Sequence, residues 1–253
     1  MGNDLLVDTD AETLTVTFNR PEQRNAMTWE MYEGLTAACR RAHEDQSIRL
    51  LILRGAGGQA FVAGTDIAQF RGFTGSDGVA YERRISAVLD EVANVGVPVI
   101  AAIDGYCIGG GLGIAAQADL RIADASAMLG IPIARTLGNC LSSRTLNGLV
   151  GLIGRSRASD LLLTGRLVAA DEAARMGLVN EVTDDVDTAL DRTTRRILSG
   201  APLTQWATKE SLHRLTAGNV DDEDIIDRVY GSADFASAVD AFLTKQKPTW
   251  TGT

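Results

Sequence analysis

Two glycine-dense stretches carry the residues best able to do chemistry. The first is Phe61-Val62-Ala63-Gly64-Thr65-Asp66-Ile67, and the second is Gly105-Tyr106-Cys107-Ile108-Gly109-Gly110-Gly111-Leu112-Gly113. Glycine lets a ligand come close to the backbone, and the first N–H groups of a helix have no intrahelical acceptor. Such donors, with a helix dipole behind them, favour an oxygen that carries negative charge. Brought together, the two stretches would hold one carbonyl oxygen between two N–H groups, an oxyanion hole. Loss of one donor from such a site typically costs about 100-fold to 1,000-fold in rate. Phosphate-loop and dinucleotide readings fit less well. No Lys-Ser/Thr follows the glycines, and the third glycine and ribose-binding acid of G-x-G-x-x-G are missing. Read alone, the same glycines also suit close helix–strand packing with no ligand.

These stretches need elements to position them. Leu14, Val16 and Phe18 alternate with threonines, the period of a strand that Asn19-Arg20-Pro21 then ends. Met27 to His43 reads as a helix with Thr28 as its N-cap, and Ile48 to Leu53 as a buried strand. A second helix is expected over Ala80 to Val95 and another buried strand over Val97 to Ile103. A helix over Leu112 to Ala118 should follow the second glycine stretch, then short strands at Asp119 to Ala123 and Met128 to Ile131. Beyond Leu146 the chain reads as mostly helical, with amphipathic helices at Pro202 to Leu215 and Phe235 to Lys245. Strand–helix units followed by helices imply an α/β core with a helical C-terminal region. Arg71 to Gly78 reads as a loop at the pocket. No repeat of the kind that marks solenoids stands out.

Bulk composition narrows the function. The 253 residues are 45% hydrophobic and 23% charged, an ordinary globular balance. A net charge of -9 argues against nucleic acid as a partner. Cys39, Cys107 and Cys140 are odd in number and lack CxxC spacing, which points to reduced thiols in a reducing, cytoplasmic compartment. Met1 to Thr9 does not read as a secretory signal, and no apolar run is long enough to span a membrane. The acidic run Asp221 to Asp224 reads as a solvated loop, and no metal site is expected.

Taken in order, the motifs resemble the crotonase (enoyl-CoA hydratase/isomerase) superfamily. Ala63-Gly64-Thr65-Asp66 pairs with Asp104-Gly105-Tyr106 and Gly109-Gly110-Gly111, while Asn19-Arg20-Pro21 and Arg24-Asn25-Ala26-Met27 resemble its N-terminal signature. Ala118 to Ala123, Leu162 to Arg166, Gly177-Leu178-Val179-Asn180 and Phe235 through Pro248 extend the match over nearly the whole chain. The resemblance implies a spiral of ββα units over residues 1–195 and a helical trimerisation region over 196–253. It implies a homotrimer or a dimer of trimers. Its ligand would be an acyl-CoA thioester, with coenzyme A entering as part of the substrate and no permanently bound cofactor. By position, the backbone N–H groups of Thr65 and Gly110 would form the oxyanion hole. Ala63, Gly64, Asp66 and Ile67 would lie along the acyl-CoA, Arg24 at its nucleotide end, and Lys245 would reach a neighbouring subunit's ligand. Surface charge alone also accounts for Arg24 and Lys245.

The chain departs from the family where hydratases place two glutamates that handle water and its protons. Those positions hold Gly113 and Ile133. Plain hydration is therefore not supported, and isomerisation, thioester hydrolysis, decarboxylation or C–C cleavage becomes the expectation. The substitutes on offer are Cys140, in the polar segment Arg135 to Arg144, and Glu82, at the start of the helix that borders the acyl pocket in this family. Arg135 or Arg144 would help to deprotonate Cys140 as a nucleophile, whereas packing as a small apolar group is the plainer expectation for that thiol. Asp66 is expected to shape its loop. The alternative to an enzyme is a non-catalytic acyl-CoA-binding or scaffold protein that kept the pocket.

Overall fold

The computed structural model describes residues 4–253, so residues 1–3 of the expected core and of the Met1 to Thr9 segment lie outside the described residues. Ten strands and nine helices are distributed over these residues. The first part holds β1 (Leu5–Asp10), β2 (Thr13–Phe18), α1 (Trp29–Glu44), β3 (Leu50–Gly55), β4 (Ala60–Val62), α2 (Gly75–Ala93), β5 (Val99–Ile103), β6 (Tyr106–Ile108) and α3 (Gly110–Ala115). The chain continues through β7 (Leu120–Asp124), β8 (Met128–Gly130), α4 (Ser143–Thr164), β9 (Val168–Ala169), α5 (Ala170–Met176), β10 (Glu181–Thr183) and α6 (Val186–Leu198). Helices α7 (Pro202–Thr216), α8 (Glu223–Tyr230) and α9 (Ala233–Leu243) complete it.

The order of strands shows the expected spiral. One sheet runs β1-β2-β3-β5-β7-β10 and the other runs β4-β6-β8-β9. Each turn sends its first strand (β3, β5, β7) to the larger sheet and its second (β4, β6, β8) to the smaller, then adds a helix (α2, α3, α4). Pairing along β2-β3-β5-β7-β10 and along β4-β6-β8 is parallel, as repeated crossovers in one direction require. The turns start at Leu50, Val99 and Leu120, unequal steps that leave no fixed period in the sequence.

Burial explains the continuous apolar runs. Leu51, Leu53, Val99, Ala101 and Ile103 face the main core, while Leu50, Ile52, Ile100 and Ala102 face Val186, Ala189 and Leu190 of α6. A parallel sheet covered on both faces needs apolar side chains at every position. Helix α1 has the expected N-cap: the Thr28 hydroxyl accepts the Met31 N–H at 3.3 Å. Its buried face, Met31, Tyr32, Leu35, Ala38, Cys39 and Ala42, follows the helical period and carries Tyr32 inward.

Several expected boundaries are corrected. Helix α2 starts at Gly75, so Gly75 to Gly78 are helical and Glu82 sits in the second turn, not at the start. A capping box overrides the two glycines: the Thr74 hydroxyl takes the Asp77 N–H at 3.3 Å, and Asp77 accepts the Thr74 N–H at 2.8 Å. Met27 precedes α1 and forms a parallel bridge to Thr65. Lys245 falls outside α9, in left-handed backbone at φ 56°. Strands β1, β4, β6, β9 and β10 are additional. Helices α7, α8 and α9 bury few residues, Leu203, Ile225 and Asp234, and leave Leu212, Leu215, Tyr230, Phe242 and Leu243 exposed. No helix among the described residues is long and apolar enough to cross a membrane.

Candidate active site

The two glycine stretches meet at the mouth of a cavity of about 190 Å³ between α2, α3 and the segment that follows β8. Segment 24–27 holds the first stretch in place. The Asn25 side chain donates to Ala56 O at 3.0 Å and Ala60 O at 2.7 Å, and accepts the Arg20 N–H at 2.9 Å. The Met27 N–H donates to Gly64 O at 2.9 Å, and the Asp66 N–H donates to Met27 O at 3.0 Å. In a parallel bridge of this kind Met27 engages the peptides on both sides of Thr65, so the Thr65 N–H points the other way. Asp66 shapes the loop as expected: its carboxylate accepts the Ala68 N–H at 3.1 Å and lies 3.6 Å from Arg20.

The second stretch arrives from the opposite side. Gly110 is the first residue of α3, a position whose N–H has no intrahelical acceptor. A Cβ on Gly111 would lie 2.2 Å from Val62 O, so only glycine allows α3 to approach β4 this closely. A Cβ on Gly110 would stand 3.9 Å from Thr65 N, 3.3 Å from Thr65 Oγ1 and 2.8 Å from the Tyr32 hydroxyl. Thr65 and Gly110 are thus neighbours across the cavity mouth. Ala63, Gly64 and Ile67 line the cavity with them.

Glu82 is the sole carboxylate among the described residues lining the cavity. Its Oε2 accepts the Ser142 N–H at 2.7 Å, and Ser142 caps α4. Burial pushes the Glu82 carboxyl above the ordinary glutamate range, and the Ser142 N–H opposes that rise. Gly113 and Ile133 also line the cavity. A Cβ on Gly113 would meet Leu89 at 3.7 Å, an ordinary contact, so that position has room for a side chain.

Other expected residues lie elsewhere. Cys140 is exposed, contrary to the expectation of apolar packing. It faces a neighbouring groove with Phe73, Val79 and Arg144, and is not among the cavity-lining residues. Arg144 pairs with Asp90 at 2.6 Å, and the aliphatic stem of Arg135 packs beside Gly165. Cys39 and Cys107 are buried; burial pushes the Cys39 thiol up to about 12 and also raises that of Cys107. Arg24 is exposed in left-handed backbone, with its guanidinium 5.3 Å from the Tyr106 ring centre. Lys245 is exposed after α9. Neither lines the cavity, and neither does Asp66. Asp224 pairs with Arg214 at 2.6 Å, which accounts for part of the acidic run.

Two residues escape a reading from sequence. The Tyr32 hydroxyl lies 2.8 Å from Thr65 Oγ1, and the Tyr81 hydroxyl lies 2.9 Å from the same atom. Both tyrosines line the cavity. In the sequence each is one more aromatic position of a helix, and no local spacing links them to each other or to Thr65.

Comparison with known proteins agrees with this geometry. Residues 8–253 match the family described as enoyl-CoA hydratase/isomerase. The chain is 28% identical to a short-chain-enoyl-CoA hydratase of Clostridium acetobutylicum, covering 97% of this chain and 96% of that protein. It is 38% identical over 201 residues to an (E)-benzylidenesuccinyl-CoA hydratase of Thauera aromatica, covering 78% and 77%. Among solved structures, an enoyl-CoA hydratase/carnithine racemase from Magnetospirillum magneticum superposes with a TM-score of 0.93 at 35% identity, covering 100% of this chain and 97% of the other. The spiral of strand–strand–helix turns, the facing glycine loops and a match spanning nearly every residue lead to one conclusion: the chain belongs to the enoyl-CoA hydratase/isomerase family.

Proposed function

We propose that this protein binds an acyl-CoA thioester and moves a proton on the acyl chain through Glu82. The Thr65 and Gly110 N–H groups hold the thioester oxygen. The Glu82 carboxylate takes a proton from the carbon beside the thioester carbonyl, and the electron pair moves to the oxygen held by the two donors. Return of that proton to a more distant carbon of the conjugated system completes an isomerisation. One observation carries this reading above the others: the cavity holds one carboxylate, Glu82, while the positions where hydratases of this family place glutamates are Gly113 and Ile133. A raised carboxyl in a largely apolar pocket suits a base that works near neutral pH. Water addition in the family's manner calls on two carboxylates, and a single one is enough for a proton shuttle.

The remaining parts follow the same reading. Ala63, Gly64, Asp66 and Ile67 lie along the bound acyl-CoA, and Arg24 meets the nucleotide end of coenzyme A as a surface cation. Residues 196–253 act as an association region. The exposed Leu212, Leu215, Phe242 and Leu243 make an apolar surface that a monomer would leave in water, in keeping with a trimer or a dimer of trimers in which Lys245 reaches a neighbour's ligand.

The test is mass spectrometry of an acyl-CoA panel incubated with the protein in heavy water. Conversion to a product of the substrate's own mass is the expected result, raised only by deuterium where the abstracted proton exchanges with solvent before its return. Net addition of water would overturn the isomerase reading, and release of free coenzyme A would make the protein a hydrolase. Tight binding with no mass change on any member would favour a non-catalytic acyl-CoA-binding protein.

A further inference from the structure

Three hydroxyls meet at Thr65 on the cavity lining: Tyr32 from α1, Thr65 from the first glycine loop and Tyr81 from α2. Two hydrogen bonds, 2.8 Å and 2.9 Å, join them through Thr65 Oγ1. Three hydroxyls carry three protons, and two bonds use two of them. Tyr32 is 1% exposed, so its proton goes to Thr65 Oγ1. The Thr65 hydroxyl then donates to Tyr81, or Tyr81 donates to it. Either way one proton is left at the cavity side of the chain. Negative charge developing on a thioester oxygen selects the first arrangement, because every dipole then points toward the charge and each bond polarises the next. Burial raises both phenols, so both keep their protons and remain donors; Tyr81 adds to the rise of Tyr32, and Glu82 adds to both. The Tyr81 ring is fixed by edge contacts to Trp29 at 5.6 Å and Phe70 at 4.8 Å between ring centres.

Resting on the acyl-CoA reading above, we propose that the Tyr81 hydroxyl is a third donor to the thioester oxygen beside the Thr65 and Gly110 N–H groups, with Tyr32 as the positioning residue that sets its direction through Thr65. The oxyanion hole of this protein is thus part backbone and part side chain. It would be stronger than one made of two amides, which offsets the loss of a second carboxylate: a more stable enolate needs less help from a proton donor.

The probe is acetoacetyl-CoA, whose enolate has its own near-ultraviolet absorbance, titrated while bound. The wild type should lower the enolisation midpoint below that of free acetoacetyl-CoA. A hydrogen bond to a charged acceptor changes an equilibrium constant by about tenfold to 100-fold. Tyr81→Phe, which keeps the ring packing, should therefore raise the midpoint of the bound probe by about one to two pH units. Tyr32→Phe should shift it the same way by less. Thr65→Val, which breaks the chain but keeps the N–H, should match Tyr81→Phe, and Thr65→Ser should restore the wild-type value. A packing role would lower the melting temperature and leave the midpoint alone. An unchanged midpoint in Tyr81→Phe, with the wild type still promoting enolisation, would overturn the third donor and leave the two-amide hole standing. Failure of the wild type to bind the probe or promote enolisation would overturn both readings.

Discussion

The cavity has two unlike walls. The glycine wall, Ala63 to Thr65 and Gly109 to Gly113, is held by buried Asn25, by the Met27 bridge and by the close approach of α3 to β4. The facing wall is the face of α2 that carries Tyr81, Glu82, Ile85 and Leu89, with the segment from Thr136 to Leu141, which is mostly exposed. A single N–H, that of Ser142, ties this segment to Glu82. On the mechanism proposed above, the difference separates two tasks. Stabilising charge on an oxygen needs donors fixed before the reaction begins, so it is built into backbone that cannot move without disturbing the core. Proton transfer needs only a side chain of suitable pKa within reach, so it is placed where the chain can change without unfolding the spiral.

Glu82→Gln attacks the second wall and carries the largest expected effect. Glutamine keeps an acceptor for Ser142 and loses the base, so turnover on the acyl-CoA identified by the panel should fall by about 100-fold to 10,000-fold. The pH profile sharpens the point. A base works ionised, and burial raises this carboxyl, so wild-type activity should climb with pH through a midpoint above the ordinary glutamate value. That limb should vanish in the variant. An unchanged profile would remove Glu82 from the mechanism.

Gly110→Pro attacks the first wall. Proline is tolerated at the first residue of a helix, so α3 survives while one N–H is lost. A Cβ at this position would stand 2.8 Å from the Tyr32 hydroxyl, so the substitution is best read in a Tyr32→Phe background, against Tyr32→Phe alone. Turnover should fall by about 100-fold to 1,000-fold. Circular dichroism and melting should show the fold retained, and wild-type turnover in the double variant would sink the oxyanion assignment.

How much of this was legible beforehand divides along the same line. Strands β3 and β5, covered on both faces, announce themselves as unbroken apolar runs, and the glycine loops announce free N–H groups. Thr28 shows as a cap because its partner is three residues away. Features that depend on distant partners stayed hidden. Tyr32 and Tyr81 meet only because α1 packs beside α2, and neither helix face differs in pattern from an ordinary core stripe. The start of α2 was misplaced because Gly75 and Gly78 read as loop, while the Thr74–Asp77 capping box outweighs them. Cys140 read as packed because its neighbours in sequence include Leu137 and Leu141, yet Leu137 is itself 45% exposed.

Asn25→Ala tests whether the glycine wall is as firmly set as its hydrogen bonds imply. The side chain makes three of them, one to each side of the Gly57-Gly58 turn that leads into the first glycine loop and one back to Arg20. Its backbone is left-handed at φ 58°, a conformation that costs alanine more than asparagine. Leaving buried partners unsatisfied should destabilise the fold by about 2–4 kcal/mol, visible in denaturant unfolding. A loss under about 0.5 kcal/mol, the range of ordinary surface changes, would mean that the loop is set by other contacts.

Cys140→Ala is expected to do least, and it decides which half of the facing wall does chemistry. The thiol lies in the groove beyond Leu141, away from Thr65 and Gly110, and Arg144 is committed to Asp90. An exposed cysteine outside the core also contributes little packing, so stability should stay within about 0.5 kcal/mol and turnover within about twofold, a change below 0.5 kcal/mol in barrier height. Loss of activity with unchanged melting would move the chemistry from α2 to the loop and make Glu82 a structural tether for Ser142. Measured beside Glu82→Gln, the pair assigns the proton-handling role to one side of Leu141 or the other.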